Sequence, residues 1–238
     1  MFESKLRAFV RPGLRGLRRN LIPGLVLQIC ALAIVLGYYF APAFQATLDA
    51  IGGIKARYGY FYSAVSTAVF GGAIPFLVLF LTRQVPKGRA WAGLAFYVGF
   101  WMWKGVEVDA LYRCQVLLFG NAVTFGTVAA KTCVDQFAYN PLWAGPTQVI
   151  FFLWKDANFS WTGLKWQLEQ EGLLHRVVVV LFSTWVVWIP AVAIVYTLPS
   201  ALQIPLSNLV LCFWCLLLSF ISKSGTQESE PQRATSAP

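Results

Sequence analysis

Charged residues are scarce in this 238-residue sequence, and it contains a single histidine. Asp, Glu, Lys and Arg make up 12% of the chain, about half of their usual share in a soluble domain. One histidine, His175, cannot supply a zinc or iron site that needs several imidazole ligands. The sequence also lacks a glycine-rich phosphate loop, a nucleophile elbow and a Ser, His and Asp set in plausible order. We therefore expect no enzyme and no cofactor or metal site.

Hydrophobic residues, in contrast, make up 58% of the chain, and the mean hydropathy is +0.61. Stretches with few or no charges recur that are long enough to cross a hydrocarbon core of about 30 Å. They predict an all-α, multi-pass transmembrane helix bundle with about six spans. The predicted spans are residues 21–40, 60–82, 90–112 and 122–154, and two within 177–222 that a turn between Pro199 and Pro205 separates. Five spans result if 177–198 lies partly in the membrane interface.

The distribution of basic residues predicts the orientation of these spans. If the N-terminus is inside, segments 1–20, 83–89, 155–176 and 223–238 hold 14 Lys and Arg, whereas 41–59, 113–121 and 200–205 hold 3. This bias follows the positive-inside rule, so it indicates orientation rather than a nucleic-acid partner. The basic residues of 1–20 suit a juxtamembrane segment or, alternatively, a mitochondrial targeting helix. We expect a bacterial cytoplasmic membrane, with the mitochondrial inner membrane as the alternative.

Several charged residues fall within or beside the predicted spans. A charge near the bilayer centre costs roughly 2.5–3.5 kcal/mol, so these side chains should face the bundle interior or water. In three acid–base pairs, the two members are spaced so that they lie on the same face of their helix. The pairs are Lys104 with Glu107, Asp109 with Arg113, and Lys131 with Asp135. Two interpretations stay open, namely structural pairs near span ends and a polar lining of a solute path.

Small residues recur at four-residue steps in the second span. The two rows are Ser63, Thr67, Gly71 and Ala64, Ala68, Gly72. Such a flat face favours the close approach of another helix, and a small-residue pore lining is the alternative. Further along, 155–176 is a mixed segment that suits a helix in the membrane interface or a soluble connecting helix.

Two stretches resemble a known family of membrane proteins. The first runs from Lys131 through Asp135 and Gln136 to Pro141. The second consists of Trp188-Ile-Pro190, Leu198-Pro199, Trp214 and Leu218-Ser219. In order and spacing they resemble the motifs of the Mpv-seventeen and 22-kDa peroxisomal membrane protein family over about residues 60–222. Members have four spans, and some have been assigned channel activity for small solutes.

The sequence departs from the family pattern in several places. The region before the Asp-Gln motif reads Gly99-Phe-Trp-Met-Trp-Lys104, without the usual Pro and His. Gln203 stands where the family has an arginine, and the predicted span at 21–40 precedes the family core. These departures indicate a divergent member of the family, which we expect to be bacterial.

The resemblance divides the chain into four parts. A basic juxtamembrane segment (1–20) precedes an extra N-terminal span with its loop (21–59), a family-like membrane bundle (60–222) and a disordered tail (223–238). The resemblance implies structural roles for the motif residues Pro141, Trp188, Pro190, Pro199, Trp214 and Ser219.

We expect an integral membrane protein that forms or regulates a weakly selective channel for small solutes. The candidates that would line or brace this path are Glu107, Asp109, Arg113, Lys131, Asp135 and Gln136. The alternative is a non-conducting structural or regulatory protein that acts through helix contacts on the small-residue face of the second span. The expected partners are the lipid bilayer, a small permeating solute and further copies of the chain.

Overall fold

The computed structural model describes residues 2–85 and 87–227, and the side chains of 14, 16–85 and 88–217. The structure is 91% helix, and the described residues contain no strand, which confirms the all-α prediction. Of the predicted disordered tail, 228–238 lies outside the described residues, whereas 223–227 continues the last helix.

The described residues form nine α-helices, two π-helical segments and one short 3-10 helix. In chain order the elements are α1 (Phe2–Phe40), α2 (Pro42–Thr67), a π-helix (Ala68–Ala73), α3 (Ile74–Leu81), a 3-10 helix (Lys87–Arg89), α4 (Ala90–Phe119), α5 (Phe125–Val134), a second π-helix (Asp135–Ala144), α6 (Gly145–Asp156), α7 (Trp161–Glu171), α8 (Leu173–Val195) and α9 (Ser200–Gln227).

Four helical stretches in the described part of the chain are long and apolar enough to cross a membrane. They are Gly16–Phe40, Pro42–Leu81, Leu173–Val195 and Ser200–Leu217. On α1, Ile22, Ile29 and Phe40 are 72%, 66% and 81% exposed, as expected for side chains that face lipid rather than water. These features identify a membrane protein. The stretches 90–119 and 125–156 are not among the four.

Two expected turns are wrong. Of residues 41–59, predicted as a loop, 42–59 belong to α2, and the backbone of that helix is broken at Gly59, with φ 52° and ψ −126°. Pro205, predicted at the end of a turn, lies inside α9, whereas the chain turns before Ser200. Pro205 is the sixth residue of α9, past the first turn, so the helix continues through it with the loss of one internal hydrogen bond.

The chain divides into two compact units, and each is described by itself. Unit 1 comprises residues up to Gly53 and Ala110–Gln203, and unit 2 comprises Ile54–Asp109 and the residues from Ile204 onwards. No feature of the structure tests the four-part division expected from the sequence, which stays a prediction.

Helices α1 and α8 form a parallel pair in unit 1. Three hydrogen bonds advance in the same direction along both: Asn20 Nδ2 to the Ser183 carbonyl (2.8 Å), Gln28 Nε2 to the Val186 carbonyl (2.9 Å) and Tyr39 Oη to the Thr197 carbonyl (2.5 Å). Glycines permit this close approach, because a Cβ on Gly16 would collide with Ser183 and one on Gly24 with Val187.

Helices α6, α7 and α8 of unit 1 enclose an apolar cluster. Its buried members are Val149, Leu153, Leu164, Val177 and Leu181. Leu164 faces this cluster from α7, whereas Trp161 and Trp166 of the same helix are exposed. Helix α7 is therefore amphipathic, which suits both interpretations of the 155–176 segment.

The small-residue face of the second predicted span is a packing face in unit 2. A Cβ on Gly72 would lie 2.8 Å from the Tyr97 carbonyl oxygen of α4, and one on Gly71 would lie 2.6 Å from Leu211 of α9 and 2.9 Å from Trp101. The structure thus confirms the packing interpretation.

Candidate functional site

A buried ion pair joins α2 and α4 in unit 2. Lys55 Nζ lies 3.0 and 2.9 Å from the two carboxylate oxygens of Asp109. Ser63 Oγ donates a 2.8 Å hydrogen bond to the same carboxylate. Lys55 and Asp109 are 4% and 2% exposed, so each charge depends on the other for compensation.

Glycine residues on both helices build this site. Gly59 lies between Lys55 and Ser63, and its positive φ breaks α2 at the level where both side chains contact Asp109. Gly105 lies one turn before Asp109 on α4, and a Cβ there would collide with the Ser63 carbonyl oxygen and the Thr67 side chain. The two backbones therefore approach more closely than any other residue at position 105 would permit.

The polar contacts continue one turn further along α2. Thr67 Oγ1 donates to Asn208 Oδ1 of α9 at 2.8 Å, and Asn208 Nδ2 donates to Ser66 Oγ at 2.9 Å. Thr67 and Asn208 are both buried. Together with the ion pair, these residues place polar side chains from three helices in the interior of unit 2.

The predicted pair of Lys104 with Glu107 is confirmed. Lys104 Nζ lies 2.7 Å from Glu107 Oε1 on the same face of α4, and the ammonium lies 4.8 Å from the centre of the Trp103 ring. A carboxylate and an aromatic face both stabilise this cation. Arg113 is exposed at the surface, and its predicted pair with Asp109 stays a prediction.

Unit 1 contains a second buried carboxylate, at Asp135. Tyr196 Oη donates to Asp135 Oδ2 at 2.7 Å, and Gln136 Nε2 donates to Asp135 Oδ1 at 2.8 Å. Asn140 Nδ2 in turn approaches Gln136 Oε1 at 3.4 Å. The ring of Tyr112 packs edge-on against that of Tyr196, with centroids 5.2 Å apart.

The predicted pair of Lys131 with Asp135 does not form. Lys131 is buried, yet its ammonium makes no ion pair or hydrogen bond within the described part of the chain. The two donors that surround the Asp135 carboxylate are neutral and come from Tyr196 and Gln136. The order base-then-acid at four-residue spacing is also the less favourable one on a helix.

A π-helix begins at the Asp-Gln motif itself. It spans Asp135–Ala144 and includes Pro141, whose missing N–H leaves the carbonyl four residues before it without its usual donor. A wider turn accommodates such a residue, and π-helical segments are frequent at functional sites. The local geometry that aims Asp135 and Gln136 inwards therefore coincides with the family-like motif.

The remaining motif residues lie in or beside the last two helices. Trp188 and Pro190 belong to α8, Pro199 directly precedes α9, and Trp214 is buried within α9. Ser219 also belongs to α9, but its side chain lies outside the described residues.

Several functional candidates escaped the sequence analysis. Lys55 falls in a predicted loop, and the sequence predicts Ser63 and Thr67 only as packing residues. The remaining residues that it does not predict are Asn208, Tyr196 and Gln115. A hydrogen-bonding side chain in an otherwise apolar run, as at Asn208, was the signal that could have revealed them.

Metal-binding side chains do not cluster in the described part of the chain, where no group of three or more His, Cys, Asp or Glu could hold a metal ion. The sites found are hydrogen-bonded sets of carboxylate, amide, hydroxyl and ammonium groups. Comparison with known proteins found no match to this chain among family models, curated proteins or solved structures.

Proposed function

We propose that the protein is a channel, or a regulator of a channel, through which small polar solutes cross a membrane. The buried ion pair of Lys55 and Asp109 carries this proposal, because Lys55 belongs to one of the four apolar stretches and the pair is almost fully buried. Ionisable groups within membrane-spanning helices are costly, and they characteristically mark solute or ion paths. A helix bundle that served only as an anchor would have no need for them.

The parallel pairing of α1 with α8 is compatible with the expected arrangement of about six spans. Two parallel spanning helices require an odd number of crossings between them. One crossing is supplied by Pro42–Leu81, so the stretches 90–119 and 125–156 must either both cross or both remain outside the hydrocarbon core. We propose that both cross, because each places buried polar residues in the interior, Asp109 in one and Asp135 in the other.

The resemblance to the Mpv-seventeen and 22-kDa peroxisomal membrane protein family supports the same proposal. The Asp-Gln motif lies at a buried, hydrogen-bonded site, where a family feature with a function in the membrane would be expected. We propose a bacterial cytoplasmic membrane as the location, with the mitochondrial inner membrane as the alternative.

A flux assay tests the proposal. Protein reconstituted into liposomes should release entrapped small hydrophilic solutes, and Asp109→Asn should alter the rate, because it leaves the Lys55 ammonium without its counter-charge. Asp156→Asn is a matched control, since Asp156 also pairs with a lysine but is largely exposed. Liposomes that stay tight with folded, inserted protein would refute conduction.

A non-conducting, structural or regulatory protein is the second candidate, and a different observation favours it. Lys55, Asp109, Lys104 and Glu107 all contact a group of opposite charge within unit 2, an arrangement that suits bracing as well as lining. The small-residue face of the second span, however, already contacts α4 and α9. A regulatory partner would therefore have to bind another surface, and crosslinking would identify it.

A further inference from the structure

Helix α7 folds back alongside the beginning of α8. Gly172 separates the two helices and has a positive φ of 70°, which lets the chain turn sharply there. Arg176, in the first turn of α8, donates from Nη2 to the Gln167 carbonyl oxygen at 3.3 Å, and the same nitrogen lies 3.1 Å from Glu171 Oε2. These contacts hold the C-terminal half of α7 at the level of the first turn of α8.

The apolar stretch of α8 fixes the level of α7 in the membrane. That stretch begins at Leu173, and Leu164 of α7 shares a buried cluster with Val177 and Leu181 of α8, which follow Leu173 by roughly 6 and 12 Å along the helix axis. Helix α7 has 11 residues, about 16 Å, so it is too short to cross a hydrocarbon core of about 30 Å. It therefore lies beside the outermost turns of a helix that crosses the membrane, at the boundary between lipid and water.

Aromatic side chains cover the surface of α7 and of the turn before it. Trp154 of α6 stacks on Trp161 of α7 with ring centroids 5.3 Å apart, and it packs edge-on against Phe159 at 5.1 Å. Trp161 is 64% exposed, and Trp166, on the face of α7 opposite Leu164, is 61% exposed. An indole ring has an apolar body and a polar N–H, which is why tryptophan is enriched where a membrane meets water.

The charges of the segment 155–176 balance one another. Within it, Lys155 pairs with Asp156 and Arg176 with Glu171. A helix that is attracted to anionic lipid carries an excess of Lys and Arg on its polar face, and α7 has no such excess. The three basic and three acidic residues of the segment are Lys155, Lys165, Arg176, Asp156, Glu169 and Glu171. The exposed tryptophans, rather than a net charge, are therefore the groups that suit a lipid surface.

We propose that α7 lies in the headgroup layer of the bilayer and that Trp161 and Trp166 contact phospholipid there. The partner is the phospholipid surface itself, with no requirement for an anionic headgroup. The lipid-facing surface of α8 continues directly into this contact, because Leu174, next to the turn at Gly172, is 72% exposed. The proposal needs only that the chain is a membrane protein, and it does not depend on channel activity.

A depth measurement on the full-length protein tests the proposal. In a background without the native cysteines, Thr162→Cys carries an environment-sensitive fluorophore, and the protein is reconstituted into phosphatidylcholine liposomes. Thr162 is exposed and lies one turn before Trp166, so the label leaves both tryptophans in place. A nitroxide near the lipid headgroup should quench the label about twofold more strongly than one near the chain end, because an interfacial helix inserts roughly 5–10 Å into the boundary of headgroups and acyl chains.

Two further labelled positions calibrate the depth. Ile29→Cys, which is exposed within an apolar stretch of α1, should be quenched most by the deep nitroxide. Gly88→Cys, which is exposed next to two basic residues, should be quenched most by aqueous iodide. If the label at 162 behaves like the one at 88, α7 lies in water and the proposal is overturned. A label that behaves like the one at 29 also overturns it, because α7 would then lie in the hydrocarbon core.

Substitution of the tryptophans tests whether they cause the attachment. Trp166→Gln should increase the quenching of the label at 162 by iodide about twofold, because an aromatic anchor is lost. Trp91→Gln is the matched control, since Trp91 is 83% exposed but lies at the start of α4, and it should leave the quenching unchanged. Added salt or phosphatidylglycerol should not change the depth of the label. A label that reaches the interface only in anionic liposomes, or that stays there when Trp161→Gln and Trp166→Gln are combined, would contradict the proposed contact.

Discussion

Gln28 of α1 donates a hydrogen bond of 2.9 Å to the Val186 carbonyl of α8, and Pro190 lies four residues after Val186 in the same helix. Because proline has no N–H, this carbonyl has lost the donor that the helix would otherwise supply. The side chain of one membrane helix thus replaces a hydrogen bond that proline removes from another, as the absence of water in the bilayer requires. This hydrogen bond from Gln28 also explains how α8 tolerates an internal proline beside its contact with α1.

Replacement of Gln28 by Leu should lower the free energy of unfolding by about 1–2 kcal/mol, since it leaves the carbonyl without a donor. The expected loss should shrink in a Pro190→Ala background, where the substituted residue has a backbone N–H that can donate to the Val186 carbonyl. A double-mutant cycle of denaturant unfolding in detergent measures the difference. An equal loss in both backgrounds would show that Gln28 acts independently of the proline.

The buried pair of Lys55 and Asp109 should be sensitive to the removal of one partner. Lys55→Met leaves the Asp109 charge uncompensated, and we expect a loss of about 3–5 kcal/mol in the free energy of unfolding. Adding Asp109→Leu should recover much of this loss, because the uncompensated charge is then gone. If Lys55→Met alone unfolds like the parent, the pair is not buried as described.

The approach of α4 to α2 depends on the hydrogen atom at position 105. Gly105→Ala should destabilise the protein by about 1–3 kcal/mol, because its Cβ meets the Ser63 carbonyl and the Thr67 side chain. Gly99→Ala, on the same helix, has open space around its Cβ and should be neutral or stabilising by up to about 1 kcal/mol. Similar melting temperatures for the two variants would argue against this helix contact.

The arrangement of about six spans can be tested by chemical labelling. In a background without the native cysteines, Gly88→Cys should react with a membrane-impermeant thiol reagent from the inside and Asn121→Cys from the outside. Both positions are exposed. If α4 and the stretch 125–156 do not cross the membrane, both cysteines should instead react from the same, inner side.

The sequence predicted the helical membrane architecture because uncharged runs and charge bias are local properties of the chain. It also identified Lys104 with Glu107, a pair three residues apart. It missed the pair of Lys55 with Asp109, since its partners lie 54 residues apart and only the folded backbone brings them together. The donors to Asp135 show the same limit, because Tyr196 lies 61 residues further along the chain.

Local turn signals were the other source of error. The charges of 41–59 and the proline at 205 are typical of loops, yet Lys55 is buried within α2 and Pro205 lies inside α9. At position 55 a tertiary contact overrides the local preference, since the ion pair with Asp109 compensates the charge of Lys55. At position 205 the helix continues although the proline removes one internal hydrogen bond.

Single-channel recording of the purified protein in a planar bilayer tests the proposed channel function most directly, with Asp135→Ala measured alongside. The proposal predicts discrete conductance steps in the parent protein and a changed step size or open time in the variant. Silence from folded, correctly inserted protein would contradict conduction, and the buried charged and polar sites would then serve helix packing.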